Sequence, residues 1–223
     1  MVSRIISIFP LLLAAILVGG CQTAAVSNPA KIQAVSIKEA RGMSLGAPVR
    51  VSGTVSVRSG AFASSISYGF ALQDDSAGIY VLDTNRVFKL GDRVKITGKR
   101  GAEFGQSNII LESAEKLTGF GTVIPRSVET GNVGESEEGI LIRAEGYVTR
   151  TKDDPPYGYK AYIDDGSGEY QIFVNASTEL LENARDWKEG ELISVIGFSG
   201  QYEKTYEIMP RILSDITIRA AQE

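Results

Sequence analysis

After residue 45 the chain alternates apolar and polar residues over short stretches. Val49, Val51, Val55 and Val57 take turns with Arg50, Ser52, Thr54 and Ser56, the two-residue period of a strand with one buried face. Phe70 and Leu72 lead into Asp74-Asp75-Ser76-Ala77-Gly78, a turn by composition, and Ile79-Tyr80-Val81-Leu82 follows. Gly91-Asp92 opens a strand in which Val94 and Ile96 alternate with Arg93, Lys95 and Thr97, and Asn108 to Ser113 closes the set. Five strands separated by turns are therefore predicted.

The same order returns. Leu141 to Val148 carries Gly146 where the first strand carries Gly53. Tyr162-Ile163-Asp164-Asp165-Gly166-Ser167-Gly168 answers Leu72 to Gly78, Gly190 to Gly197 answers Gly91 to Gly98, and Ile208 to Ile212 answers Ile109 to Ser113. The separations are 93 for the first-strand glycines, 90 for Asp74 and Asp164, and 99 for both pairs of later glycines. The second copy is thus expected to have a first hairpin loop three residues shorter and a link after its third strand nine residues longer. That link has helical spacing in Leu180, Ala184 and Trp187, with Ser177 or Thr178 as the cap. The register of Tyr157 to Val174 against the first copy stays open.

Five strands with a helix between the third and fourth resemble the OB-fold, a five-stranded Greek-key barrel. A glycine in the long first strand suits a strand that must bend between two sheets. The expected class is all-β: two tandem OB-fold barrels, over residues 45–118 and 138–223, joined by a linker at 119–137, the second with a short helix. A closer resemblance rests on Ile37 to Gly46, Phe70 to Asp74, Gly91 to Val94, Thr130 to Glu135 and Glu138 to Arg143. Together these look like the OB-like modules that accompany secreted bacterial nucleases and other extracellular hydrolases. In that family a separate catalytic domain cuts. No such domain is expected beside the two copies, so the resemblance implies an accessory binding role.

The N-terminus changes the picture of where this happens. Arg4 precedes an apolar run from Ile5 to Val18, broken by Ser7 and Pro10. Fourteen residues are short for a membrane-spanning helix, which needs about 20, and they fit the apolar region of a secretory signal. The run ends in Val18-Gly19-Gly20-Cys21, which resembles the bacterial lipobox. Residues 1–20 are read as a signal peptide, and Cys21 as the site of lipidation. Residues 21–44 are read as a tether with a short helix. The membrane, reached through lipid on Cys21, is the first expected partner. Gln22 rather than Asp resembles the outer-membrane sorting pattern where two membranes exist. The protein is expected to be exported and anchored to the cell or outer membrane, facing the periplasm or the surface.

Composition then narrows the chemistry. The chain has no histidine and one cysteine, which removes Ser-His, Cys-His and His-metal chemistry and any intramolecular disulfide. No enzymatic activity and no cofactor are expected. Asp164-Asp165-Gly166-Ser167-Gly168-Glu169 is half the length of an EF-hand loop and reads as a turn in which Asp accepts from backbone N–H groups. Asp153-Asp154-Pro155-Pro156 reads as a hairpin tip.

OB-folds bind along strands two and three and through the loops joining strands one to two and four to five. Those elements carry Arg58, Tyr68, Tyr80, Lys99, Arg100 and Phe104 in the first copy, and Arg150, Lys152, Tyr157, Tyr159, Tyr202 and Lys204 in the second. Aromatics stack on bases or sugar rings, and cations follow phosphates. Each residue is equally open to a plain role as core or solvated strand face. Residues 41–118 sum to +3 and residues 137–223 to −8. A single-stranded DNA or RNA ligand would therefore fall mainly to the first copy. The expected function is binding of single-stranded nucleic acid or another extended polymer. The alternative is a protein-interaction or envelope-structural module, whose partner is an envelope protein or polysaccharide.

Overall fold

A computed structural model describes residues 32–83, 85 and 87–219. The signal peptide, Cys21 and the first part of the tether lie outside them. Helix α1 (Ile37–Arg41) precedes strands β1 (Pro48–Val57), β2 (Gly69–Gln73), β3 (Gly78–Leu82), β4 (Asp92–Glu103) and β5 (Gln106–Phe120). These five close into a barrel in the order β1-β2-β3-β5-β4, with β3 and β5 parallel. A short β6 (Arg126–Ser127) and a 3-10 turn (Thr130–Asn132) lead into β7 (Leu141–Asp154), β8 (Gly158–Asp164) and β9 (Glu169–Asn175). Helix α2 (Leu181–Ala184), β10 (Leu192–Tyr202), β11 (Thr205–Met209) and β12 (Ile216–Arg219) complete the chain. The second sheet runs β12-β10-β11-β9-β8-β7-β6, and β10 also pairs with β7. Its β7-β8-β9-β11-β10 portion therefore returns on itself in the strand order of the first half, with β9 and β11 parallel. Among the described residues no helix is long and apolar enough to cross a membrane.

Strand pairing fixes the register that sequence leaves open. Val55 faces Leu72 and Val57 faces Ala71 across a bulge; Val148 faces Ile163 and Arg150 faces Tyr162 across a bulge at the same place. Gly53 and Gly146 sit where a Cβ would run into the backbone of Gln73 and Asp164 respectively. The offset is therefore 93 in the first strand and 91, not 90, in the next two; Ile172 pairs with Ile208 as Val81 pairs with Ile109, an offset of 99. The first hairpin loop is two residues shorter in the second half and the later link eight longer, each one less than sequence matching suggests. The turn as a unit explains this: Asp74 matches Asp165, its partner in role, rather than Asp164.

That role is helix capping. The Asp74 carboxylate accepts from Ile37 N at 2.9 Å, and the Ser76 hydroxyl from Lys38 N at 3.1 Å. In the second half Asp165 accepts from Thr130 N at 3.1 Å, and the Ser167 hydroxyl from Gly131 N at 2.8 Å. Each copy thus begins with a helical turn whose free N–H groups are met by the β2–β3 or β8–β9 turn of its own sheet. Helix α1 has its own capping box, Ser36 with Glu39. Ile37 and Ala40 are buried in the first core, so α1 plugs the first barrel. The 119–137 stretch likewise contributes β6 and the 3-10 turn to the second sheet rather than a free linker. In the long link, Leu180, Ala184 and Trp187 enter the second core as their spacing predicts. The expected cap is absent: Leu180 precedes α2 without a side-chain bond, and the Thr178 hydroxyl donates to Asn175 O at 2.7 Å.

Each half has its own apolar interior, and a third cluster joins them. It combines Val57, Ala61, Phe62, Ala71 and Tyr80 of the first half with Phe173, Phe198 and Met209 of the second. The inward residues of β2 and β3 are Phe70, Leu72, Ile79 and Val81. Ala71 and Tyr80 are therefore on their outer face, and the second half covers that face. Polar contacts frame the junction. Glu138, fully buried, accepts from Arg41 Nη2 at 2.5 Å, from Ser107 N at 3.0 Å and from Gln106 Nε2. Arg211 donates to Ser56 O at 2.7 Å and Leu141 N to Gln73 Oε1 at 2.8 Å.

Candidate functional site

Three hairpin tips meet beside this junction. The β4–β5 tip turns at Phe104 and Gly105 with positive φ of 49° and 90°, the β10–β11 tip begins at Tyr202, and the β7–β8 tip ends at Tyr157. Gly105 bridges to Tyr202, and at this approach a Cβ on Gly105 would meet Gln201 and Glu203. The rings of Phe104 and Tyr202 lie 5.2 Å apart, tilted by 32°, a geometry that leaves both with an open side. Phe104, Tyr157 and Tyr202 are 52, 51 and 47 % exposed. They stand at the edge of a cleft of about 450 Å³ whose lining includes Phe173, Met209 and Ile66, within the usual range for ligand sites.

The polar lining comes mostly from the outer face of β8, β9 and β11. Lys160 pairs with Asp154 at 2.7 Å and lies 5.8 Å from the Phe173 ring centroid. Gln171 Nε2 donates to Glu207 Oε2 at 2.6 Å. Burial pushes the Glu207 carboxyl up to about 7, against the pull of the Gln171 bond and Lys160. Among the described residues Glu207 Oε1 accepts no hydrogen bond, and the buried Gln201 Oε1 has no partner either. Gln106 crosses from the first half, its Oε1 accepting from Gln201 N at 2.9 Å.

Of the twelve residues singled out by sequence, the structure brings Phe104, Tyr157 and Tyr202 together at the cleft. Three others are corrected, because their side chains are buried away from the cleft. Tyr80 is 1 % exposed in the joining cluster, with its hydroxyl on Ser67 O, and burial raises its pKa. Tyr159, 6 % exposed, is second-half core. Arg100, 8 % exposed, donates to Arg41 O, Asn108 O and Ser107 Oγ, and burial lowers its pKa. Arg150 lies over the Tyr162 ring, 3.3 Å from its centroid, and pairs with Glu169 at 2.5 Å. Lys99 pairs with Glu112 at 3.6 Å. Arg58 is half-buried and bonds its neighbour Ser59 O. Tyr68 covers Gly60. Lys152 and Lys204 are exposed and do not line the cleft. Lys160, Gln171, Phe173, Gln201 and Glu207 line it and went unread. One signal was available: Ile172-Phe173-Val174 and Ile208-Met209 break strand alternation, as happens where both faces of a sheet are covered.

Part of the first half's positive charge is paired internally. Lys95, Lys99 and Lys116 pair with Glu115, Glu112 and Asp92, and Arg41 reaches Glu135 and Glu138. The Asp164–Asp165 turn accepts from Gly166, Ser167, Gly168 and Thr130. Bonds from Ser167 and Thr130 hold Asp165 well below the usual carboxylate range. Among the described residues there is no cluster of three or more His, Cys, Asp or Glu able to hold a metal ion.

No family model and no curated protein matches the chain. Among solved structures it is similar to an OBody bound to hen egg-white lysozyme, at 15 % identity and a TM-score of 0.37, over 44 % of this chain and all of that one.

Proposed function

We propose that the chain is a non-catalytic, lipid-anchored binding module of two OB-folds, and that it holds an extended polymer in the cleft between them. The fold reading is supported by the shared strand order, the parallel third and fifth strands, and the extra helix between the third and fourth in the second half. The observation that carries the function is the convergence of three hairpin tips, each offering an exposed aromatic ring, on one cleft. A polymer crossing the tips can stack successive rings on Phe104, Tyr202 and Tyr157, and base–aromatic stacking is worth about 1–3 kcal/mol per ring. The outer face of β2 and β3, the usual ligand surface of an OB-fold, is covered by the second half, so the first half takes part through its β4–β5 tip. Anchoring rests on the apolar run ending at Cys21.

The test is a pull-down from cell fractions onto immobilised single-stranded DNA, RNA and cell-wall glycan. Retention on at least one polymer is expected from the membrane fraction, with Cys21→Ser moving the activity to the soluble fraction. Phe104→Ala and Tyr202→Ala should each weaken retention by about tenfold. Retention on no polymer refutes the binding reading, and Cys21→Ser protein that stays lipidated refutes the anchor.

A further inference from the structure

We propose that the cleft takes an uncharged polysaccharide, with ring hydroxyls meeting the Gln171–Glu207 pair and sugar faces stacked on Phe104, Tyr202 and Tyr157. This rests on the cleft reading above and names its ligand class.

The first argument is the polar lining. Gln171 Nε2 donates to Glu207 Oε2 at 2.6 Å, the second Glu207 oxygen makes no hydrogen bond among the described residues, and both side chains line the cleft. A sugar hydroxyl both donates and accepts, so it can meet that oxygen whether or not the carboxyl holds its proton.

Charge is the second. Lys160, the cation of the cleft lining, is held by Asp154 at 2.7 Å. The second half, which supplies most of the lining, carries −8. Lys95, Lys99 and Lys116 of the first half are tied to its own acids. Among the described lining residues a polyanion finds no unpaired cation, whereas a neutral chain meets no repulsion.

The third is amphipathic shape. Phe173, Met209 and Ile66 give the cleft an apolar surface beside the Gln171–Glu207 pair. A pyranose presents the matching combination, an apolar face of ring C–H groups and an equatorial belt of hydroxyls.

The experiment is calorimetric titration of the full chain in detergent micelles with chitohexaose, cellohexaose and oligothymidylate. At least one neutral oligosaccharide is expected to bind, with affinity changing less than about twofold between roughly 50 and 500 mM salt. At pH 8, where the Glu207 carboxyl is ionised, Glu207→Gln keeps the side-chain volume and should weaken binding by about tenfold or more, because its amide turns an accepting oxygen into a donor. Circular dichroism should show the variant folded. Phe104→Ala, at an exposed tip, gives an independent loss that does not depend on the buried site. Oligothymidylate binding alone, with a steep salt dependence, overturns the glycan assignment and leaves the cleft reading standing. Oligosaccharide binding untouched by both substitutions places the ligand elsewhere and overturns both. Absence of any binding does the same.

Discussion

Glu207 is where burial and charge conflict most sharply. Its ordinary carboxyl value is near 4.5, and its surroundings lift it to about 7. Lys160 and the Gln171 amide oppose the rise, while Asp154 adds to it. Between those values an unfolded chain has lost the proton and the folded chain keeps it. Folding then binds a proton, and stability falls as pH rises through that window. Glu207→Gln removes the term, so the variant should gain on wild type between pH 5 and pH 8. Each pH unit is worth about 1.4 kcal/mol, which bounds the gain at roughly 3 kcal/mol. Thermal melts of both proteins across that range check it, and parallel curves would refute the shift. Glu138, also raised by burial, titrates in both proteins and cancels in the comparison. Sequence could not mark Glu207. It stands in a short strand next to Ile208 and Met209, and nothing in a two-residue period says that the outer face of β11 is covered. Tyr80 misled for the same reason: its place on an outer strand face is legible, but Phe173, Phe198 and Met209, which bury it, belong to the second half.

At the scale of elements, sequence carried the strands, their repetition and the Asp-rich turns, because alternation and turn chemistry are local signals. What joins turn to helix is not local. Asp74 belongs with Ile37 and Asp165 with Thr130, and matching by the doubled Asp alone slipped by one residue. The capping contact predicts matched losses. Asp74→Ala and Asp165→Ala should each destabilise the fold by about 1–2 kcal/mol in urea unfolding, while the exposed Asp75→Ala stays within about 0.5 kcal/mol. Equal effects at Asp74 and Asp75 would show that the α1 cap contributes nothing. Sequence likewise foresaw a helix in the long link, and Leu180, Ala184 and Trp187 do reach the core. It overestimated the helix, because Thr178 engages Asn175 instead of opening it.

Across the whole molecule, the joining cluster makes the halves interdependent. Phe62, Tyr80 and Phe198 are almost fully buried there, with Phe198 6.1 Å from Phe62 and 5.9 Å from Tyr80 between ring centroids. Calorimetry should record one unfolding transition for the described body. Phe198→Ala, costing about 3–5 kcal/mol, should lower that single transition or split it. Two resolved transitions in the unsubstituted protein would mean that the interface couples nothing.

The contact between the halves is also directional. It joins the β2–β3 face of one copy to a different face, on β9 to β11, of the next, so it is heterologous rather than self-matching. Repetition of such a contact would generate an array without end. Each outer terminus carries charge where the inner junction is apolar. Arg150 and Tyr162 stand at the positions of Val57 and Ala71, under the ion pair with Glu169. Lys99, paired with Glu112, stands at the position of Phe198. These are polar surfaces of the kind that end units of repeat proteins require for solubility, and two of their residues, Arg150 and Lys99, are ones that sequence alone suggests for a ligand.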